Sequence, residues 1–418
     1  MKTPVPDYLL EIRDACSVGD DGELADYIPE LASVDPNRFA VAICTMDGVV
    51  YTAGDAGARF TIQSMSKPFI YALALRDRGI KAVLEKVGVE PSGDAFNEIS
   101  LEPETGRPEN PMINIGAITT HTLVGDPDAD EIERDRVVAE GLSAFAGRDL
   151  EVDITVFDSE LRTAFRNRAM ANLLRAGGII EGDPDEAVRG YTRQCAYNVT
   201  VRDLAVMAVT LANGGINPVT RERVVSAEVA RQVLAVMTTC GMYDAAGDWM
   251  STVGIPAKSG VSGGILGALP GQVGLGVFSP RLDGHGHSVE GVRTFERLSR
   301  DLELHLMNTT FTDVEAVRSV RHDERTGRQV YRLQGPMTFA SAELVLRRLA
   351  EIPAGSGEVT LDLSRVSSVN TSARRILVEG MSRLSADGHV VGLADPSGRL
   401  RDVVLSDGSR PVARKAAR

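Results

Sequence analysis

The residues best suited to nucleophilic chemistry lie in residues 60–68, FTIQSMSKP. This segment holds an S-x-x-K motif, and its three-residue spacing would place Ser64 and Lys67 on one face of a helix. A neutral lysine in that position can take the serine proton, while a helix N-terminus favours the negative charge that develops during attack. Pro68 is tolerated only in a first turn, so we expect a helix to begin near Ser64.

A second motif, Lys258-Ser259-Gly260, adds to this signal. On its own, S-x-x-K arises by chance about once in a chain of this length. The second motif lies on a predicted strand after a long helical middle, where β-lactamase-type serine enzymes carry K-[ST]-G. The pair indicates a serine acyl-transfer enzyme. Two alternatives stay open: a penicillin-recognising or β-lactamase enzyme, and a catalytically inactive binding protein.

The segments around these motifs predict one sheet flanked by helices, which would position the two motifs. FAVAICTMDG and VVYTAG predict a hairpin whose turn is Asp47-Gly48. ERDRVVAEGLSAFAG, SELRTAFRNRAMANLLRAGG and VRDLAVMAVTLANGG predict helices that end at glycine. The glycine-rich SGVSGGILGALPGQVGLGVFSP predicts strands that return to the hairpin, and residues 291–308 predict a covering helix. The fold class is therefore α/β of the α+β kind, with a mixed, helix-flanked antiparallel sheet.

The bulk composition limits the classes of function. The 418 residues allow two domains, and 43% hydrophobic with 25% charged residues is typical of a globular protein. A net charge of -13 argues against a nucleic-acid partner. No run reaches the roughly 18 apolar residues of a membrane span, and the N-terminus lacks a signal-peptide core. We therefore expect a cytoplasmic protein with no membrane partner.

Cysteines and histidines give no pattern for a metal or a disulfide framework. Cys16, Cys44, Cys195 and Cys240 are scattered, so we expect reduced and mostly buried thiols. His285 and His287 form an H-G-H pair in a glycine-rich stretch, which we interpret as a solvated turn. We expect neither a metal nor a cofactor.

Several ordered stretches resemble the serine-dependent glutaminase family. They are ADYIPELASVDPNRFAVAICTMDG, QSMSKP, ENPMINIGAI, DSELRTAFRNRAMANLL, YTRQCAYNVT, CGMYDAAGDW and PAKSGVSGGI. Together they span about residues 5 to 308. The resemblance implies a β-lactamase-like and penicillin-binding-protein-like fold. It also implies an amidohydrolase that converts L-glutamine to L-glutamate and ammonia, and a homo-oligomer, either a dimer or a tetramer.

The resemblance also implies roles for particular residues. Its four catalytic side chains are Ser64, Lys67, Tyr191 and Tyr243. Ser64 would be the nucleophile, Lys67 its proton-relay partner, and the two phenols would help to pass protons to the departing ammonia. Its substrate-binding groups are Tyr27, Ser64, Asn114, Glu160, Asn167, Tyr191, Tyr243 and Val261. The Val261 backbone would join the Ser64 amide in an oxyanion hole, with Lys258 as electrostatic support. Whether Lys67 or a tyrosinate is the base stays open.

Residue spacing agrees with two of these roles. Glu160 and Asn167 are seven residues apart, which corresponds to two turns of one predicted helix and places them on a shared face. A carboxylate there can meet the ammonium of glutamine, while the amide can address its α-carboxylate.

The C-terminal part has a strand–helix alternation of its own: VYRLQG, FASAELVLRRLAEI, EVTLDLSRV, SARRILVEGMSRLSADG and HVVGLA. This order predicts a small α/β layer that resembles the STAS fold, with a docking surface for a protein partner. We expect a catalytic domain over residues 1–308, a linker over 309–328 and a STAS-like domain with a basic tail over 329–418. Ser372 occupies the regulated position of that fold, but Asn370 stands where an aspartate is usual. We interpret Ser372 as a helix N-cap, with a phosphorylation site as the alternative.

Overall fold

The structure is a computed structural model of the chain. It describes residues 3–17, 19, 21–26, 28–93, 97–308, 315–323, 327–355 and 357–416. The chain divides into two compact units. The larger unit is Leu9–Glu296, and the smaller unit combines Met1–Tyr8 with Arg297–Arg418.

The described residues form helices and strands in both units. The helices are α1 Val5–Cys16, α2 Pro29–Ala32, α3 Lys67–Arg78, α4 Ile80–Lys86, α5 Asn114–Thr122, α6 Glu131–Ala146, α7 Ile154–Thr163, α8 Phe165–Ala176, α9 Pro184–Cys195, α10 Val201–Ala212, α11 Ala227–Cys240, α12 Ala246–Thr252, α13 Val289–Leu302, α14 Phe339–Ala350 and α15 Thr371–Ala386. The strands are β1 Ala40–Thr45, β2 Val50–Gly54, β3 Phe60–Thr61, β4 Glu151–Val152, β5 Tyr197–Val199, β6 Ala257–Gly260, β7 Gly264–Leu269, β8 Val273–Phe278, β9 Val317–Asp323, β10 Arg328–Met337, β11 Glu358–Val369, β12 Val390–Ala394 and β13 Val412–Ala413. Among these residues no helix is long and apolar enough to cross a membrane.

The main sheet of the larger unit is antiparallel and has the strand order β2-β1-β8-β7-β6. The predicted hairpin is confirmed, because β1 pairs with β2 around Asp47-Gly48, and Gly48 has a φ of 91°. The glycine-rich strands return to that hairpin as predicted, with β8 beside β1. This order places the early hairpin and the late Lys258 strand in one sheet.

Glycines in β8 allow helix α10 to lie directly on the sheet. A Cβ added at Gly274 would come within 2.2 Å of the Ala205 carbonyl oxygen, and one added at Gly276 within 2.5 Å of the Val201 carbonyl oxygen. Any larger residue at these positions would push the helix away. The glycines are therefore explained by the close approach of the two backbones.

The S-x-x-K segment contains a 3₁₀ turn and the first residue of an α-helix. Gln63–Ser66 forms a 3₁₀ turn, and Lys67 begins α3 with Pro68 in its first turn, as predicted. Every residue of α3 from Lys67 to Leu75 is buried. The start of α3 is thus fixed inside the core, which holds the Ser64 and Lys67 side chains in place.

One predicted helix is two helices. The segment that carries Glu160 and Asn167 breaks at Ala164, whose ψ of 31° ends α7 before α8 begins. The Thr163 hydroxyl donates to the carbonyls of Ser159 and Glu160, and such local bonds compete with helix continuation. The prediction that Glu160 and Asn167 share a face of one helix is therefore wrong.

The smaller unit contains a five-stranded sheet in the order β13-β12-β11-β10-β9. The predicted alternation is confirmed by β10, α14, β11, α15 and β12, and neighbouring strands of this core are parallel. The predicted linker over 309–328 needs correction, because β9 lies inside it and pairs antiparallel with β10. The helix predicted over 291–308 ends at Leu302 as α13.

The predicted role of Ser372 as an N-cap is also wrong. Asn370 caps α15, since its side chain accepts from the Ala373 amide at 2.8 Å. Ser372 is the second residue of the helix, where it is 1% exposed. Its hydroxyl donates to the Leu302 carbonyl and the Asn370 side chain. A kinase could reach this hydroxyl only after the contact with Leu302 opened.

Candidate active site

Ser64 lies at the edge of a cavity of about 240 Å³ in the larger unit. Its lining includes most of the residues that the sequence singled out, namely Ser64, Asn114, Glu160, Asn167, Tyr191 and Val261. Although α7 and α8 are separate helices, their break faces this cavity and brings Glu160 and Asn167 to the same space. Tyr27 lies outside the described residues.

Lys67 is fully buried and held by an amide oxygen. Its Nζ donates to Asn114 Oδ1 at 2.7 Å, and the Tyr191 hydroxyl donates to the same oxygen at 3.0 Å. Burial lowers the pKa of Lys67 to about 7. Asn114 begins α5 and is neutral, so it orients the amine without restoring its charged form as a carboxylate would. A substantial neutral fraction is thus available at neutral pH.

Tyr243 links Ser64 to the second lysine. Its phenol is hydrogen-bonded to the Ser64 side chain. Lys258 Nζ donates to the Tyr243 hydroxyl at 2.6 Å and to the Ser259 carbonyl at 2.7 Å. Burial, followed by the nearby Lys67, keeps the pKa of Lys258 well below its usual range. The result is a continuous chain of hydrogen bonds from the serine through the phenol to an amine.

Both phenols are poor candidates for a tyrosinate. Burial raises the pKa of Tyr191 and of Tyr243 above the ordinary value for a phenol. For Tyr243, the hydrogen bond with Ser64 opposes this rise but is the smaller effect. Both residues are therefore neutral near pH 7 and can donate a proton or pass one on.

Glu160 is held at the cavity by Gln63, whose Nε2 donates to Glu160 Oε1 at 2.6 Å. Burial raises the pKa of Glu160 to about 7, the Gln63 bond opposes this rise, and the charge of Glu30 adds to it. Glu30 lies on α2, and its Oε1 accepts from the hydroxyl of Ser159, which precedes Glu160. Two carboxylates thus contribute negative potential in this part of the site.

The remaining contacts connect the two ends of the cavity. Asn114 Nδ2 donates to Asn167 Oδ1 at 3.3 Å, which joins the lysine end to α8. Val261 follows β6, and Gly260 allows that strand to pass close to the serine turn. A Cβ at Gly260 would lie 3.1 Å from the Ile62 carbonyl oxygen and 3.3 Å from Gln63 Cβ. Val261, the next residue, lines the same cavity as Ser64.

Backbone strain is present on both sides of the nucleophile. Gln63 has a φ of 50° and Tyr243 a φ of 56°, both in the left-handed region that residues other than glycine rarely adopt. Gln63 immediately precedes Ser64, and Tyr243 is its hydrogen-bond partner. Strain of this kind persists only where surrounding contacts hold it, and it is often found at active sites.

Sequence reasoning missed three residues near this site. Gln63 adjoins S-x-x-K, but its bond to Glu160 spans 97 positions of the chain. Cys195 lines the cavity, where burial raises the pKa of its thiol to about 12. His287 is 2% exposed, so the interpretation of the H-G-H pair as a solvated turn is wrong for this member. No signal in the sequence separated His287 from the more exposed His285.

No group of three or more His, Cys, Asp and Glu side chains suited to a metal is found in the part of the chain that the structure describes. The cavity is lined by a serine, a phenol and a carboxylate, and two amines of lowered pKa and a second phenol belong to the hydrogen-bond network beside it. This set, on a helix-flanked antiparallel sheet, is suited to serine acyl-transfer chemistry.

Comparison with known proteins identifies the family. The sequence matches the Glutaminase family over residues 22–307 and the STAS domain over residues 319–406. A glutaminase of Corynebacterium efficiens is 47% identical over 407 residues, covering 97% of this chain and 96% of that protein. A glutaminase of Corynebacterium glutamicum is 48% identical, covering 97% and 98%.

Solved structures agree. A crystal structure of Mglu has a TM-score of 0.74 at 49% identity and covers 95% of this chain and 99% of its own. The chain belongs to the glutaminase family and is an amidohydrolase that acts on glutamine. These relatives do not favour the β-lactamase alternative or that of an inactive binding protein.

Proposed function

We propose that the chain hydrolyses L-glutamine to L-glutamate and ammonia through an acyl-enzyme on Ser64. The observation that carries this proposal is the position of Ser64, at a cavity edge and hydrogen-bonded to a buried phenol that in turn binds Lys258. A coupled assay for glutamate, run beside a chromogenic β-lactam, tests the substrate class. Turnover of the lactam but not of glutamine would overturn the proposal.

In the first half-reaction, Ser64 Oγ attacks the side-chain amide carbon of glutamine and its proton moves to the neutral amine of Lys67. The lowered pKa of Lys67 and the raised pKa values of both phenols support the amine over a tyrosinate as base. The developing oxyanion would be held by the backbone N–H groups of Ser64 and Val261. The carbon–nitrogen bond then breaks, and ammonia leaves with a proton passed on by Tyr191 or Tyr243. Water attacks the resulting ester and releases glutamate.

Substrate recognition falls to Glu160 and Asn167, which line the cavity. Glu160 in its ionised form binds the α-ammonium of glutamine, and Asn167 addresses the rest of the amino-acid backbone. The resemblance adds Tyr27 to this set, a residue outside the described part of the chain. Because the pKa of Glu160 is about 7, binding of an ammonium also draws this group into its charged form. The site therefore requires a free amino group, and we propose that it rejects peptide-linked glutamine.

Glu160→Gln should raise KM by about tenfold or more while kcat changes little, because a buried charge partner of the ammonium is lost. Discrimination against N-acetylglutamine should fall at the same time, since that analogue lacks the ammonium. Steady-state kinetics with both substrates measures these effects. An unchanged KM with wild-type discrimination would show that Glu160 does not bind the ammonium.

Glu30→Gln supplies a matched control for charge. The substitution keeps an oxygen that can accept from Ser159 but removes the negative charge that raises the pKa of Glu160. The pKa of Glu160 should fall. As the pH is lowered, KM should therefore begin to rise at a lower pH than it does in the wild type. Ser159→Ala removes the hydrogen bond and leaves the charge, so it should not shift the pH dependence of KM in that direction.

We propose a division into a catalytic domain over residues 1–308 and a C-terminal STAS-like domain, with the linker shortened to 309–316 because β9 belongs to the C-terminal sheet. The family matches over 22–307 and 319–406 support this division. A cytoplasmic location is supported by the four buried cysteines, none of which is in a disulfide, because reduced thiols suit a reducing compartment. We further propose a homo-oligomer, and a protein partner for the STAS-like domain.

A chain that ends at Asn308 should remain folded and hydrolyse glutamine, because every proposed site residue lies before that point. The measurement is kcat/KM for truncated and full-length protein at matched concentration, with oligomer size from light scattering. If the truncated protein were folded and unchanged in oligomeric state but inactive, the C-terminal domain would contribute to the active site.

A further inference from the structure

The turn over residues 283–288 carries a buried histidine that the proposed reaction does not use. His287 Nδ1 lies 2.8 Å from the Ser259 hydroxyl oxygen, and Ser259 is the residue next to Lys258 on β6. The ring is stacked near that of Tyr243, with centroids 6.1 Å apart and planes 11° from parallel. His287 therefore lies beside the Lys258–Tyr243 hydrogen bond, bonded to the neighbour of Lys258 and stacked near the ring of Tyr243.

The neutral form of His287 suits this position. Burial lowers its pKa to about 4, while Asp283 on the same turn opposes the shift and both Lys258 and His285 add to it. The Met242 backbone also opposes the shift, but the buried Nε2 makes no hydrogen bond to the residues that the structure describes. A neutral imidazole can bond to Ser259 through Nδ1 without bringing a charge into this buried position. A protonated ring would place a positive charge beside Lys258, whose pKa is already lowered by burial and by Lys67.

We propose that His287 is a positioning residue that holds Tyr243 in its strained conformation and keeps its phenol within hydrogen-bond distance of Lys258 and Ser64. Tyr243 has a left-handed φ of 56°, and the His287 ring lies nearly parallel to its ring, so the histidine bears on the orientation of the strained residue. Ser259 offers its carbonyl to Lys258 Nζ and its side chain to His287. One small residue therefore couples the histidine to the amine.

This inference rests on the proposed role of Tyr243, and it predicts a loss in kcat rather than in binding. His287→Leu removes both ring nitrogens and should lower kcat roughly tenfold to a hundredfold, because small displacements of catalytic groups cost that much. KM should stay near the wild-type value, since Glu160 and Asn167, which are proposed to bind glutamine, lie on α7 and α8 rather than on this turn. His287→Asn places an amide atom near the position of Nδ1 and should restore most of kcat.

The hydrogen bond between His287 and Ser259 can also be tested by substitution of Ser259. Ser259→Ala should lower kcat in the same way, and the double variant with His287→Leu should lose no more than the larger single loss. His285→Ala is the control for disturbance of the turn, because His285 is half exposed and bonds to Asp244. It should keep kcat near that of the wild type.

The outcomes separate the inference from the proposed reaction. A folded His287→Leu protein with wild-type kcat would overturn the inference, as would a His287→Asn protein that loses as much as His287→Leu. If His287→Leu does not fold, wild-type kcat in Ser259→Ala overturns it equally. Tyr243→Phe is measured alongside. If it keeps full activity, the proposed role of Tyr243 fails. If Tyr243→Phe loses activity but His287→Leu does not, only the role of His287 is rejected.

Discussion

Ser64→Ala is expected to abolish glutamine hydrolysis while leaving glutamine binding largely intact. In the proposed mechanism the hydroxyl forms the ester, whereas the groups proposed to recognise glutamine lie on several elements around the cavity. The loss in kcat should be about a thousandfold or more, as is usual when a nucleophile is removed. Steady-state kinetics gives kcat, and calorimetric titration with glutamine gives the affinity of the inactive protein.

Ser66→Ala is the matched control, because Ser66 lies on the same 3₁₀ turn and its hydroxyl donates to the Gln63 carbonyl instead. It should keep far more activity than Ser64→Ala. Retention of more than about a tenth of the wild-type kcat by Ser64→Ala would reject the covalent mechanism.

Replacement of Lys67 should have the second-largest effect. Lys67→Met removes the base, and Lys67→Arg keeps a positive charge that does not dissociate near neutral pH. Both should lower kcat by roughly a hundredfold or more, since positioned general bases contribute effects of that size. If Lys67→Arg retained activity, the lysine would act as a fixed charge, and the assignment of the base would be wrong.

The pH dependence gives the same test without mutation. A general base works in its deprotonated form, and so does a carboxylate that binds an ammonium. Both Lys67 and Glu160 have a pKa of about 7, so kcat/KM should rise steeply with pH through that value and then level off. Lys67→Arg should remove the lysine component from the pH profile of kcat. A wild-type profile that is flat from pH 5 to 8 would contradict these assignments, because it would require both groups to be ionised as they are in water.

Local signals predicted much of the scaffold. Asp47-Gly48 specified the hairpin, and Pro68 specified the start of α3, because each residue type permits few backbone conformations. The alternation from β10 to β12 in the C-terminal part was also predicted correctly, but the outer strands β9 and β13 were not. These features depend on neighbours along the chain, which the sequence displays directly.

Features that depend on distant partners could not be predicted in this way. The break at Ala164 carries neither glycine nor proline, and it is accompanied by bonds from Thr163 to the preceding turn. His287 is buried because Ser259 and Tyr243 meet it from other elements. Asn370, which is equally suited to an N-cap, caps α15 in place of Ser372. The buried Ser372 hydroxyl donates to the carbonyl of Leu302, which lies 70 positions earlier in the chain.

The central claim is that Ser64, and no other residue of the cavity, forms the covalent bond with substrate. The most direct test is to inactivate the protein with a glutamine-shaped electrophile, such as a diazoketone analogue, and to map the adduct by peptide mass spectrometry. The account predicts an adduct on Ser64, with protection by glutamate and no labelling of Ser64→Ala. Cys195 lines the same cavity and is the built-in competitor. An adduct on Cys195, or labelling that persists in Ser64→Ala, would contradict the account.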